Sequence, residues 1–149
     1  MFEFNGIKLR LLEEKDLELL RDLRNHQSTW SNLNDINLIT KYKQISWFKR
    51  IHKDKSSIWL VVTNKKKEFL GIAKIYSIDY INKSLGLGLD IEINKRGLGI
   101  GTKVYKILLN YAFKYLNMNR VWLHVLSTNK NAISLYKKSG FKKEGKLEK

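Results

Sequence analysis

The chain has no cysteine and no proline, only 3 histidines, and 14 acidic residues against 29 lysines and arginines. Without cysteine there is neither a disulfide framework nor a thiolate metal site. The histidines, at positions 26, 52 and 124, have no close ligand spacing, so no metal is expected. The missing proline carries no functional reading. Long apolar runs are missing too: hydrophobic stretches are short and broken by lysines, and none could span a bilayer. Residues 1–10 lack a basic start followed by a continuous apolar segment. No signal peptide is therefore expected, and the expected location is the cytoplasm.

What is present fits one folded domain. A length of 149 residues suffices for a full hydrophobic core, and 43% hydrophobic with 11% aromatic content excludes a disordered chain. The formal charge of +15 attracts polyanions by counterion release and long-range steering. Nucleic acid, a nucleotide cofactor and an anionic metabolite are all compatible with it. So is a merely solvated lysine-rich surface, because the lysines are scattered, with small clusters at 65–67, 137–138 and 142–143. A compact basic stripe interleaved with aromatics is absent, which disfavours nucleic acid.

Periodicity divides the chain into alternating elements. Residues 2–11 alternate apolar and polar as a strand, and leucines at 17, 19, 20 and 23 predict an amphipathic helix over 14–25. Residues 26–42 are polar with isolated aromatics, and a second helix is expected over 43–53. Two β-rich runs, "SIWLVVTN" and "EFLGIAKIYSID", flank "KKK" and predict a hairpin with Asn64 in its turn. A third β-run covers 84–93, a helix 99–116, a strand 120–126, a helix 129–139 stopped by Gly140, and a last strand 141–147. The fold class is mixed α/β (α+β), a sheet with helices on its faces.

Between the third β-run and the long helix stands "EINKRGLGIGTK", with glycines at 97, 99 and 101. The spacing matches neither the dinucleotide fingerprint nor the Walker loop. A helix N-terminus entered through glycines still presents free N–H groups and a positive dipole end to an anion. The alternative is a tight strand–helix turn with no ligand.

About thirty residues later comes "TNKNAISLYKKSGF" (128–141). The pair, Arg-x-x-Gly-x-Gly and then Asn-x-x-Ala-Ile-x-Leu-Tyr-x-Lys-x-Gly-Phe, resembles the GCN5-related N-acetyltransferase (GNAT) superfamily. "IKLRLLEEKDLELLRDLRN" near the start resembles the entry strand and first helix of its ribosomal-protein and sugar-amine branch. The resemblance covers nearly the whole chain. It implies a largely antiparallel mixed sheet with splayed central strands, acetyl-CoA as acetyl donor, and direct attack of an amine in a ternary complex.

Carried onto this sequence, the resemblance implies that main-chain N–H groups of Leu98, Gly99, Ile100, Gly101 and Thr102 bind the pyrophosphate, with Arg96 and Gly97 at the entrance. Asp90, Ile91, Glu92 and Ile93 would line the pantetheine arm. Asn129 and, less directly, Asn131 would contact the same arm, although asparagine there also suits a helix cap. Tyr136 matches a general acid for the departing thiolate; its alternative is a packed aromatic. His124 stands where some relatives carry a glutamate base, five residues before Asn129. Its alternative is a partly buried histidine satisfied by a neighbour. Gly86 occupies a second acid position of other relatives, Asp90 and Glu92 could act through water, and a neutral amine needs no base. Arg24, Asn25, Trp30 and Trp47 are expected as walls of the acceptor site.

The expected acceptor is a small-molecule amine, such as an amino-sugar nucleotide or polyamine, or a protein N-terminus. Relatives usually carry another strand after the one that begins at the Gly-Phe pair, while this sequence ends at "KKEGKLEK"; the expectations are a homodimer whose partner finishes the sheet, an open edge, or a product shorter than its relatives. The competing reading is a non-catalytic acetyl-CoA-sensing or nucleic-acid-binding module with the same fold.

Overall fold

A computed structural model describes residues 2–31 and 38–146. A short hairpin, β1 (Phe2–Phe4) and β2 (Ile7–Leu11), leads through a 3₁₀ turn into α1 (Leu17–Asn25), α2 (Gln27–Trp30) and α3 (Lys41–Ile51). A meander follows: β3 (Ile58–Thr63), β4 (Phe69–Asp79) and β5 (Ser84–Ile91). Then come α4 (Ile100–Asn110), extended by one π turn, β6 (Arg120–Trp122) and α5 (Lys130–Lys138). The six strands form one sheet in sequence order. Every pairing is antiparallel except β5 with β6, the pair joined through α4, and that pairing stops after Gly86 and Trp122.

The strand period of two sorts side chains into two layers. On one face Leu60, Val62, Ala73, Ile75, Leu85 and Leu87 meet Val104, Tyr105 and Leu108 of α4. On the other, Val61 and Ile72 pack with Leu17 and Leu20 of α1 and Phe48 of α3. The entry of α1 is pinned by Arg10, whose guanidinium donates to both carboxylate oxygens of Asp16 at 2.8 and 2.7 Å, while Asp16 also accepts from the Glu13 N–H. No described helix is long and apolar enough to cross a membrane.

Three expectations are corrected. The first strand is a hairpin, because Asn5 (φ 48°) and Gly6 (φ 83°) form the two-residue turn that Asn-Gly favours. The strand expected over 120–126 ends at Trp122, where β6 parts from β5. No strand forms over the described part of 141–147, with Leu147 outside the described residues. Instead α5 ends in a Schellman motif: Phe141 N–H donates to the Tyr136 carbonyl, Gly140 N–H to that of Lys137, and Gly140 takes φ 96°. The Phe141 ring turns back onto Tyr105 and Tyr136, with centroids 6.0 and 6.1 Å away. That packing draws the segment toward α5.

Candidate active site

The site begins with alternation in β5. Leu85 and Leu87 face α4, so Gly86, Gly88 and Asp90 face the α1 side, opposite Tyr76, Lys74 and Ile72 of β4. The two glycines leave room on that face. A Cβ on Gly86 would lie 2.9 Å from both the Tyr76 and Trp122 rings, and one on Gly88 would meet the Lys74 stem at 2.6 Å. Lys74 is therefore laid across β5, with its ammonium 4.7 Å from the Tyr76 ring centre and 5.6 Å from that of Trp59. Beyond Gly86 the edge of β5 toward β6 has no strand partner among the described residues. A cleft of about 760 Å³ opens there, between Arg24, Thr29 and Lys74 on one side and Tyr105, Asn129 and Tyr136 on the other.

The three glycines of the loop do different work. Gly97 and Gly99 have φ of 77° and 78°, a conformation that other residues adopt at a cost, and nothing lies within 4 Å of where their Cβ would be. They turn the chain and keep the approach to α4 open. Gly101 is a packing residue as well: a Cβ there would stand 2.8 Å from Leu135, where α4 touches α5. The first turn of α4 keeps its orphan N–H donors at the cleft.

Asp90 is recessed in the cleft. Burial pushes its carboxyl above the ordinary range, against the opposing charges of Arg24, Lys74 and Arg96. Tyr136 accepts a long hydrogen bond, 3.4 Å, from the hydroxyl of Tyr105, which is fully buried. Burial raises the Tyr136 phenol, the bond from Tyr105 holds it down, and the Asp90 charge adds to the rise. It therefore keeps its proton through neutral pH. Tyr76 is likewise raised by burial.

Of the expected cofactor residues, Asp90, Ile91, Arg96, Gly97, Gly99, Ile100, Gly101, Thr102, Asn129 and Asn131 line the cleft. Glu92, Ile93 and Leu98 do not: the Glu92 N–H is bound to the Leu70 carbonyl and its carboxylate to the Asn94 N–H, while Leu98 is exposed. Asn129 caps α5 by accepting from the Ala132 N–H. Arg96 reaches across the cleft. Its Nε donates to the Ile91 carbonyl, and its terminal nitrogens donate at 2.7 Å to the Ser28 and Thr29 hydroxyls of α2. His124 lines the cleft, is exposed, and sits with its ring 5.1 Å from that of Trp122.

On the acceptor side only Arg24 of the four expected residues lines the cleft. Asn25 is engaged elsewhere, exchanging two hydrogen bonds with the Ile39 backbone, and Trp47 packs edge-on to Trp59 at 4.8 Å. Trp30 is half-buried away from the cleft. Lys74, Tyr76 and Tyr105 were not expected from sequence. Lys74 had a signal, a lone charge inside the apolar run "LGIAKIYSI".

Residues 7–142 match the family described as the acetyltransferase (GNAT) domain. The chain belongs to the GNAT acetyltransferase family. Spermidine N(1)-acetyltransferase of Vibrio cholerae is 29% identical over 143 residues, covering 95% of this chain and 82% of that protein. The crystal structure of the Vibrio cholerae spermidine N-acetyltransferase with CoA and spermine superposes with a TM-score of 0.91 at 26% identity, over 97% of this chain and 85% of that one. A dodecameric structure of the same enzyme in an intermediate state gives 0.80 at 29% identity, over 97% and 84%. This GNAT chain is an acetyl-CoA-dependent N-acetyltransferase, with the splayed mixed sheet expected of it. The non-catalytic and nucleic-acid-binding alternative is not favoured by these relatives.

Proposed function

We propose that this acetyltransferase acetylates the primary amine of a small molecule by direct attack, with Asp90 as the proton acceptor and Tyr136 as the proton donor. The observation that carries the reading is one cleft holding both groups, each shifted toward its protonated form by burial, beside the unpaired edge of β5. An amine arrives as its ammonium form and must lose a proton before it can attack. A recessed carboxylate with a raised pKa suits that task better than the exposed His124, which we assign no proton in the reaction. Tyr136 holds a proton beside the cleft, available to a departing thiolate.

The residues present fit acetyl-CoA. Gly97 and Gly99 leave the approach to α4 clear of Cβ atoms, and the first turn of that helix offers N–H donors to a pyrophosphate. The open edge of β5 and Asn129 would hold the pantetheine arm. When bound, acetyl-CoA supplies the electrophilic thioester. A protein N-terminus as acceptor draws no support from the relatives. Self-association is part of the same proposal, on the strength of the dodecameric relative, and sedimentation velocity of the purified chain tests it.

The test is free-thiol release from acetyl-CoA with a panel of amines. Asp90→Asn is expected to lower kcat by about 10²–10⁴-fold at neutral pH, the range typical of a lost general base, with a smaller change in the KM for acetyl-CoA. His124→Ala is expected to keep the acidic limb of the pH profile. Wild-type turnover in Asp90→Asn, or loss of the acidic limb in His124→Ala, would transfer the base role away from Asp90.

A further inference from the structure

The charges around Asp90 do not balance. Arg24, Lys74 and Arg96 all act on this one carboxylate. Arg96 is engaged with α2 and the end of β5, as described above. Arg24 and Lys74 make no ion pair among the described residues. The Nε of Arg24 is buried and has no hydrogen-bond partner there either. Lys74 is held by ring faces instead of a carboxylate, and burial lowers its ammonium below the ordinary range, with Arg24 adding to the effect and Asp90 opposing it. Two partly desolvated cations thus flank the proposed base, on the α1 side of β4 and β5, away from the α4 N-terminus. An ammonium next to them is repelled; an anion is not.

We infer that the acceptor of this acetyltransferase carries an anionic group, a carboxylate or phosphate, close to its amine, and that Arg24 and Lys74 bind that group while Asp90 receives the amine. The inference rests on the proposed acetyl-transfer reading of the cleft. It separates this chain from the Vibrio cholerae relative, whose structure holds spermine, a polycation. A fork of guanidinium donors beside an ammonium suits both anions: Arg24 can meet either bidentately, and Lys74 adds a point charge.

The experiment uses matched amines that differ in charge. Glucosamine is compared with glucosamine 1-phosphate, propylamine with β-alanine, and spermidine serves as the cationic arm; CoA release gives kcat/KM for each. The phosphate and carboxylate pairs separate the two anion types. The anionic member of at least one pair is expected to be favoured about tenfold or more, the usual scale for a charge-assisted contact. Arg24→Gln and Lys74→Gln are each expected to erase most of that preference by raising the acceptor KM, with the KM for acetyl-CoA held. Lys74→Arg restores it, which excludes a merely misfolded variant. Equal or better use of the neutral amines or spermidine overturns the anionic acceptor and leaves the transferase reading standing. A preference that survives both Gln variants overturns the assignment of Arg24 and Lys74. Absence of CoA release with every amine overturns the transferase reading, and the inference with it.

Discussion

Tyr105 reaches the site from inside the α4 core, and its hydroxyl has one role there, donation to Tyr136. That bond fixes Tyr136 as the partner whose own proton faces elsewhere, and it holds the Tyr136 phenol below the value burial alone would give. Removing it in Tyr105→Phe lets the phenol rise further. The sign follows directly: a higher pKa keeps Tyr136 protonated to higher pH but makes it a weaker acid. The alkaline limb of the kcat profile is expected to move upward while kcat falls by about 2–10-fold, a modest part of what acid catalysis contributes. An unmoved limb would reduce Tyr105 to packing. The place of Tyr136 at the cleft was legible in the sequence because its motif surrounds it. Tyr105 was not, because a tyrosine on a helical stripe reads as core until α5 is seen packed against it. The glycines show the same limit. Their spacing located the loop, yet nothing in it distinguished Gly97 and Gly99, which need positive φ, from Gly101, which needs space beside Leu135.

Among the elements, α2 contributes to one wall of the cleft through Ser28 and Thr29, although it has only four residues. It is fastened through Ser28 and Thr29 to Arg96, and so to the turn that follows β5. The sequence reading places Arg96 with the expected pyrophosphate loop; its guanidinium in this structure spans from the end of β5 to α2. Arg96→Lys keeps the charge and loses the fork. The expected result is a several-fold rise in acceptor KM that exceeds the rise in acetyl-CoA KM, measured under saturation by the other substrate. The reverse order would return Arg96 to the donor side. Helices with strong periodicity, α1, α3 and α4, were legible to within a turn, as was the β3–β4 hairpin, whose Asn64 side chain accepts from the N–H groups of Lys66 and Glu68. The elements misjudged are those decided by backbone conformation or by neighbours. Asn5-Gly6 bends what alternation alone extends, and β6 ends where its partner diverges, not where its own pattern stops.

At the scale of the molecule, an excess of 15 positive charges acts on anything anionic that approaches. Screening shortens this reach from about 30 Å at 0.01 M salt to about 3 Å at 1 M. Association of acetyl-CoA is therefore expected to slow steeply with added salt, while kcat at saturation changes little, because contacts inside the cleft are less screened. Stopped-flow binding against salt concentration checks this; a flat dependence would mean that the scattered lysines play no part in capture. The parting of β5 from β6 has a consequence on the same scale. A sheet that parts between its fifth and sixth strands leaves an edge of β5 facing the cleft, and a donor lying along that edge would serve as a temporary strand. The β5 amides beyond Gly86 that point away from β4 would then belong partly to the fold and partly to the donor. Hydrogen exchange at these amides should be fast in the free protein and slow with donor bound, so that an open seam of the fold is closed by the compound it consumes.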